Sequence, residues 1–282
     1  MKQFLILGRI NMSSAIAFSA VAGYLFNRGE FTWYTLAVFL GVLLLACAAT
    51  ALNQIQERHQ DALMSRTMNR PLASGQMTIK KAAIITLALG ISGTAILYFF
   101  TTPLTAALGL FNIIWYNGVY TPLKRKTGFA VIVGAVTGAI PPVMGWTAAG
   151  GLILDSSVLF IAAFFFLWQI PHFLLLLLRY KEDYHKAGFQ SVTSTMSDNQ
   201  IKHIVFIWIL GTSMITLFFP LFNIISGKIM IACIILLNFF LITIFYKSVF
   251  NRDLKFNLGR AFGSLYLYQL SILAILIIQA LK

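Results

Sequence analysis

Nine apolar stretches free of Asp, Glu, Lys and Arg recur along this chain, at residues 10–26, 32–52, 82–101, 103–120, 129–150, 156–178, 203–225, 229–246 and 261–281. Each approaches or exceeds the length a helix needs to cross the roughly 30 Å of hydrocarbon in a bilayer. Several contain Gly and Pro, which membrane helices tolerate because neighbouring groups satisfy the freed backbone. Composition supports the same reading: 59% of residues are hydrophobic and 10% charged, too few charges for a domain of this size to cover itself in water. The expectation is an all-α integral membrane protein with nine transmembrane helices, folded as one domain over residues 1–282.

Nine spans put the termini on opposite sides, so the 21 Lys and Arg residues divide between them. Eighteen, Lys2 among them, share one side, running from Lys2 and Arg9 through Arg58, Lys80, Lys126, Arg179 and Lys247 to Arg252, Lys255 and Arg260, against Arg28, Lys228 and Lys282 on the other. The positive-inside bias then places the N-terminus in the cytoplasm and the C-terminus outside a cell (inner) membrane. The formal charge of +13 becomes a topology signal, and a nucleic-acid partner is excluded. No cleavable signal peptide is expected, since the first apolar stretch reads as a true span. Cys47 and Cys233 lie inside apolar segments and read as small hydrophobes.

The acidic residues locate the chemistry. Glu30 and Asp155 fall in short outer loops, whereas Glu57, Asp61, Glu182, Asp183, Asp198 and Asp253 fall on the basic side. Ion-coupled transporters hold ionisable groups near the bilayer midplane. Here every carboxylate lies at a helix end, which suits an enzyme taking a polar headgroup from water and a lipid tail from the membrane.

Asn53, Glu57 and Asp61 follow one another at four-residue spacing, and Met64, Arg66-Thr67 and Arg70-Pro71-Leu72 come next. On a helix that spacing stacks the three side chains along about 12 Å of one face. Carboxylates holding Mg²⁺, with arginines a turn further on, form a clamp for a diphosphate. Two further groups lie on the same side. Tyr120-x3-Lys124, with Arg125 and Lys126, ends the fourth span; Trp168-Gln169-Ile170-Pro171-His172-Phe173 leads into Glu182-Asp183-Tyr184. Gln169 and His172, three residues apart, share a helix face. In residues 129–150, Gly134-x3-Gly138 and Pro141-Pro142 indicate a kinked helix whose glycines serve helix–helix contact. Loop placement also suggests that spans one to four and five to eight form two parallel halves.

These three segments, covering residues 50–190, resemble the UbiA superfamily of membrane prenyltransferases. The strings Pro141-Pro142-Val143-Met144-Gly145-Trp146 and Trp168 to Phe173 are similar to its haem-farnesylating branch. The chain departs from the family pattern at Glu57, where Asp is common, at His59, often another acid, and at Leu7-Gly8-Arg9, where a Lys-Pro-Arg string often precedes the first helix. The resemblance implies a UbiA-type fold of nine helices around an apolar chamber, and transfer of a farnesyl group from farnesyl diphosphate to a vinyl group of haem b. It implies Mg²⁺ held by Glu57, Asp61 and Asp183, with Asn53 as a further oxygen ligand. Arg66, Arg70 and Lys124 would neutralise the leaving diphosphate, and Tyr120, Glu182 and Tyr184 would line its site. Gln169 and His172 would face the porphyrin, His172 as a candidate iron ligand. The alternatives are a UbiA-type enzyme with an aromatic acceptor, which would not need the His172 string, and a membrane transporter or haem-handling scaffold.

Overall fold

The computed structural model describes residues 2–250 and 256–282, and all regular secondary structure among them is helical. Arg252, Asp253 and Lys255, used above in the charge division, lie outside the described residues, as does the side chain of Lys2. In chain order the α-helices are α1 (Lys2–Leu7), α2 (Ile10–Arg28), α3 (Trp33–Leu63), α4 (Ile79–Phe100), α5 (Pro103–Ile114), α6 (Thr121–Leu123), α7 (Ala130–Ala148), α8 (Ser156–Arg179), α9 (Lys181–Lys186), α10 (Asp198–Leu217), α11 (Lys228–Phe250) and α12 (Leu258–Ala280). Helix starts follow capping chemistry. Thr78, Thr102, Asp155, Ser197 and Asn257 each accept a hydrogen bond from a backbone N–H of the first turn.

Seven helical segments among the described residues are long and apolar enough to cross a membrane. The protein is therefore a multi-pass membrane protein. The other two predicted spans are helical but different in kind. Helix α2 carries asparagines and serines along its 19 residues, and the fourth span is divided, α5 passing through a π-helical turn, Trp115–Tyr120, into α6.

The long helices pack in a closed cycle: α2 on α3, α3 on α4, α4 on α5, α5 on α7, α7 on α8, α8 on α10, α10 on α11, α11 on α12, and α12 back on α2. Two apolar clusters fill it, one built from α2, α3, α4, α5 and α7, the other chiefly from α8, α10, α11 and α12. Away from the basic end α2 crosses the cycle to meet α7 directly. A Cβ on Gly23 would fall 2.0 Å from the Pro142 carbonyl oxygen, and one on Gly145 would fall 1.7 Å from that of Ala20, so both positions require glycine.

That contact corrects the expected role of the α7 glycines. Gly134 and Gly138 do not bring two backbones together. A Cβ on Gly134 would meet the Tyr120 ring at 2.6 Å, and one on Gly138 would meet the Gln169 amide nitrogen at 1.6 Å. These glycines make room for two of the side chains singled out above.

Candidate active site

Helix α3 has 31 residues and so spans about 46 Å, well beyond the apolar thickness of a bilayer. Its last three turns carry Asn53, Glu57 and Asp61, all buried at 4%, 3% and 4% exposure, on the face turned to the centre of the helix cycle. His59, two residues past Glu57, points the other way and is exposed, so its departure from an acid lies off this face.

Each carboxylate of this motif has a cation of the chain's own. Lys124 Nζ lies 2.6 Å from Glu57 Oε2, which also accepts from Asn53 Nδ2 at 3.1 Å. Arg70 Nη1 lies 2.7 Å from Asp61 Oδ2. The π-helical turn sets the position of Lys124: Thr121 donates to the Tyr116 carbonyl at 2.9 Å and accepts from Asn53 at 3.1 Å, tying the end of the fourth span to α3. One extra residue in a helical turn rotates everything beyond it, a device common at functional sites. Lys124 Nζ then lies 5.3 Å from the centre of the Tyr120 ring.

The second acidic segment docks on the loop that follows α3. Asp183 on α9, 7% exposed, accepts from Ser65 Oγ at 2.8 and 3.0 Å and from the Arg66 amide at 3.3 Å. Burial alone would push its carboxyl up. The hydrogen bonds from Ser65 and Arg66, together with the Lys186 charge, outweigh that and hold it below the usual carboxylate range. Met64 plugs the same junction, buried against Ala187, Phe189 and Tyr184. Glu182 does not join this site. It is exposed, because adjacent residues on a helix project about 100° apart and Asp183 takes the inward direction. Arg66 is exposed as well, its guanidinium 4.8 Å over the Tyr180 ring at the rim.

A cavity of about 30 Å³ lies among Tyr120, Lys124, Phe173, Tyr184 and Ser191, close to the room one water takes. Deeper in the cycle α8 presents Gln169 and His172. The His172 ring stacks on Trp168 at 5.3 Å and 8°, with Phe262 and Tyr266 of α12 edge-on at 5.8 and 5.4 Å. Trp168 is fixed by its own Nε1–H, which donates to the Leu265 carbonyl at 3.0 Å. Gln169 Oε1 and His172 Nδ1 are buried without a hydrogen-bond partner among the described residues. The arrangement is a charged mouth above an aromatic, largely apolar compartment with two polar atoms to spare.

The four proposed metal ligands do not converge on one point. Among the described residues no three His, Cys, Asp or Glu side chains stand close enough to hold one ion. The physical reason is visible in the pairings, since Glu57 and Asp61 each turn an oxygen to a cation and Asp183 turns to Ser65. Mg²⁺ commonly takes one or two carboxylates and fills its octahedron with water and substrate phosphates. Glu57 Oε1, buried and without a partner, is a hard oxygen suited to that role. Two residues that hold this site in place, Ser65 and Thr121, carry no signal in the sequence, because a lone hydroxyl in a loop or a helix turn has no pattern that marks it.

The profile of the UbiA prenyltransferase family matches residues 15–266, most of the chain. The chain belongs to the UbiA prenyltransferase family. It is 38% identical to the protoheme IX farnesyltransferase of Geobacter sulfurreducens, over 80% of this chain and 84% of that one. It is 41% identical to the mitochondrial protoheme IX farnesyltransferase of Homo sapiens, over 67% of this chain and 43% of that longer protein. Among solved structures the fold is similar to a digeranylgeranylglyceryl phosphate synthase, at TM-score 0.80 and 16% identity over 100% of this chain and 98% of that one. It is also similar to a UbiA homologue from Archaeoglobus fulgidus bound to GPP and Mg²⁺, at TM-score 0.73 and 14% identity over 99% of each chain. At such identities the structures establish the UbiA-like fold, and the family assignment comes from the sequence matches.

Proposed function

We propose that this UbiA-family enzyme transfers a farnesyl group from farnesyl diphosphate to a vinyl group of haem b, giving haem O and diphosphate. The observation that carries this reading is the union in one helix cycle of the Glu57–Lys124 and Asp61–Arg70 pairs with the aromatic compartment around His172. The relatives named as protoheme IX farnesyltransferases support the same acceptor.

Glu57 would bind Mg²⁺ through its free Oε1, and Asp61 and Asp183 would reach the ion through water and the substrate's phosphate oxygens, since the three carboxylates do not meet at one point; Mg²⁺ supplies charge neutralisation to the diphosphate when bound. Lys124 and Arg70 then shift from their carboxylates toward the phosphoryl oxygens as negative charge builds on the leaving group. Loss of diphosphate leaves an allylic cation at the farnesyl carbon. The vinyl π-bond of the porphyrin attacks that carbon, and water adds to the resulting cation and releases a proton, leaving a hydroxyl. Tyr120, Phe173 and the Trp168–His172 stack keep bulk water from the first cation. Gln169 and His172 face the acceptor, and His172 is the candidate for contact with its iron.

The enzyme crosses the membrane nine times, with its N-terminus and active site at the cytoplasmic face. The divided fourth span and α2 both pack between neighbouring helices as members of the cycle, which supports counting them, and the basic residues gather at the end that carries Glu57, Asp61 and Asp183. Asp61→Ala and Asp183→Ala, each inserted and folded, are expected to abolish prenyl transfer with Mg²⁺ present. Near-normal turnover in both would move the diphosphate elsewhere.

A further inference from the structure

Pro122 leaves a gap in the turn that aims Lys124. In a π-helical turn each carbonyl takes the N–H five residues on, as Tyr116 takes that of Thr121. For Asn117 the fifth residue on is Pro122, which has no N–H to give. Helix α3 supplies a donor instead. Gln56 Nε2 reaches the Asn117 carbonyl at 3.0 Å, and Asn117 is buried at 3% exposure. A buried carbonyl left unpaired costs the desolvation of the group, so this one side chain closes the turn against α3.

The tie is returned from the other direction. Arg125 Nη2 donates to the Gln56 carbonyl at 2.8 Å. Two adjacent residues of α3, Gln56 and Glu57, are thus clasped by two adjacent residues beyond the π-helical turn, Arg125 and Lys124, the second clasp being the 2.6 Å contact of Lys124 with Glu57. The far side of the turn is tied to α7, where Trp115 Nε1 donates to the Val133 carbonyl at 2.9 Å. The clasp is costly. Gln56 Oε1, Asn117 Oδ1 and Arg125 Nε are buried without hydrogen-bond partners among the described residues, and apolar side chains of similar size would join two helices without that cost. Apolar packing would not fix the direction of the turn, because hydrogen bonds to a carbonyl are directional and dispersion contacts are not.

We propose that Gln56 and Arg125 are positioning residues: by bonding the end of the fourth span to α3 beside Glu57, they hold the Lys124 ammonium where it meets the diphosphate. Both act through Lys124. The diphosphate rests on the prenyl-transfer reading, whereas the hold on the Lys124–Glu57 pair does not and is measured separately.

The experiment uses the full chain purified in detergent, as wild type, Gln56→Leu, Arg125→Met and Arg125→Lys, each also combined with Lys124→Met. Two quantities are read: affinity for inorganic diphosphate with Mg²⁺, and the coupling between Glu57→Gln and Lys124→Met in melting temperature. Gln56→Leu and Arg125→Met should each weaken diphosphate binding about tenfold, the scale of one misaligned charge-assisted hydrogen bond. Arg125→Lys keeps a donor on a long side chain for the Gln56 carbonyl and should recover most of that loss. With Lys124 already replaced, neither change should weaken binding further, because the group they position is gone. The coupling between Glu57 and Lys124 should shrink in the Gln56→Leu background. Where Lys124→Met does weaken diphosphate, wild-type affinity in both positioning variants, or a further loss once Lys124 is absent, would overturn the proposal; an unchanged coupling would overturn it in any case. Wild type and Lys124→Met binding diphosphate equally, or not at all, would sink the diphosphate reading of Lys124 and leave the coupling to decide. Should Arg125→Met fail to fold, Gln56→Leu, which removes no charge, carries the same test.

Discussion

Replacing Lys124 by methionine should destabilise the protein, and removing the charge of Glu57 as well should restore most of the loss. The two groups are 2.6 Å apart, with side-chain exposures of 17% and 4%. At that distance and an effective dielectric of 20 their gross attraction is about 6 kcal/mol. Most of this is offset by desolvation, so the pair adds little net stability over two neutral groups. Breaking it is another matter. Lys124→Met leaves a buried carboxylate whose Oε2 keeps only the Asn53 amide and whose Oε1 has no partner, a change that costs about 3 kcal/mol, the lower end for buried pairs because Lys124 retains some contact with water. In the double variant Lys124→Met, Glu57→Gln no uncompensated charge remains. Thermal unfolding of the four proteins in detergent gives the coupling directly. Prenyl transfer should be lost in all three variants, so stability recovers where activity does not. Equal melting of Lys124→Met and wild type, or a double variant no more stable than the single, would refute the assignment of this contact as a buried ion pair.

Three further outcomes follow from other parts of the structure. Gly138→Ala should drive the Gln169 amide out of its place and cut turnover by about tenfold or more, whereas Gly211→Ala on α10, with nothing within 4 Å of the new Cβ, should leave turnover unchanged; steady-state kinetics on both separates a cradle from general helix packing. Asp183 has its folded pKa below the unfolded value, so its stabilising contribution is present above the ordinary carboxylate range and is lost as pH falls through the lowered value. Ser65→Ala removes hydrogen bonds that keep it low, and melting temperature against pH should show the variant losing stability at higher pH than wild type. In an otherwise Cys-free protein, an outside-only reagent should label Cys at position 282 and miss it at 126; the reverse pattern would invert the orientation.

The fold was legible because hydrocarbon leaves the backbone few choices, and nine uncharged stretches in order already define a bundle. The first acidic motif was legible for a similar reason: four-residue spacing survives folding, and Asn53, Glu57 and Asp61 do share one buried face. What the sequence concealed depends on angles that no spacing records. Glu182 and Asp183 are adjacent, and only the docking of α9 on Ser65 decides which turns inward. The π-helical turn that aims Lys124 has no composition of its own. Gly134 and Gly138 match a helix-packing pattern, yet the bodies they admit are side chains, while the backbone approach falls to Gly23 and Gly145, too far apart in sequence to read as a motif.

The most direct test of the central claim is to add farnesyl diphosphate, Mg²⁺ and haem b to the purified protein and analyse the extracted haem by mass spectrometry. A porphyrin carrying both a farnesyl group and a hydroxyl, absent when Asp61 is replaced by alanine, is the expected result. Unmodified haem, alongside prenylation of an aromatic acid by the same preparation, would contradict the acceptor and leave a UbiA-family enzyme of the quinone type.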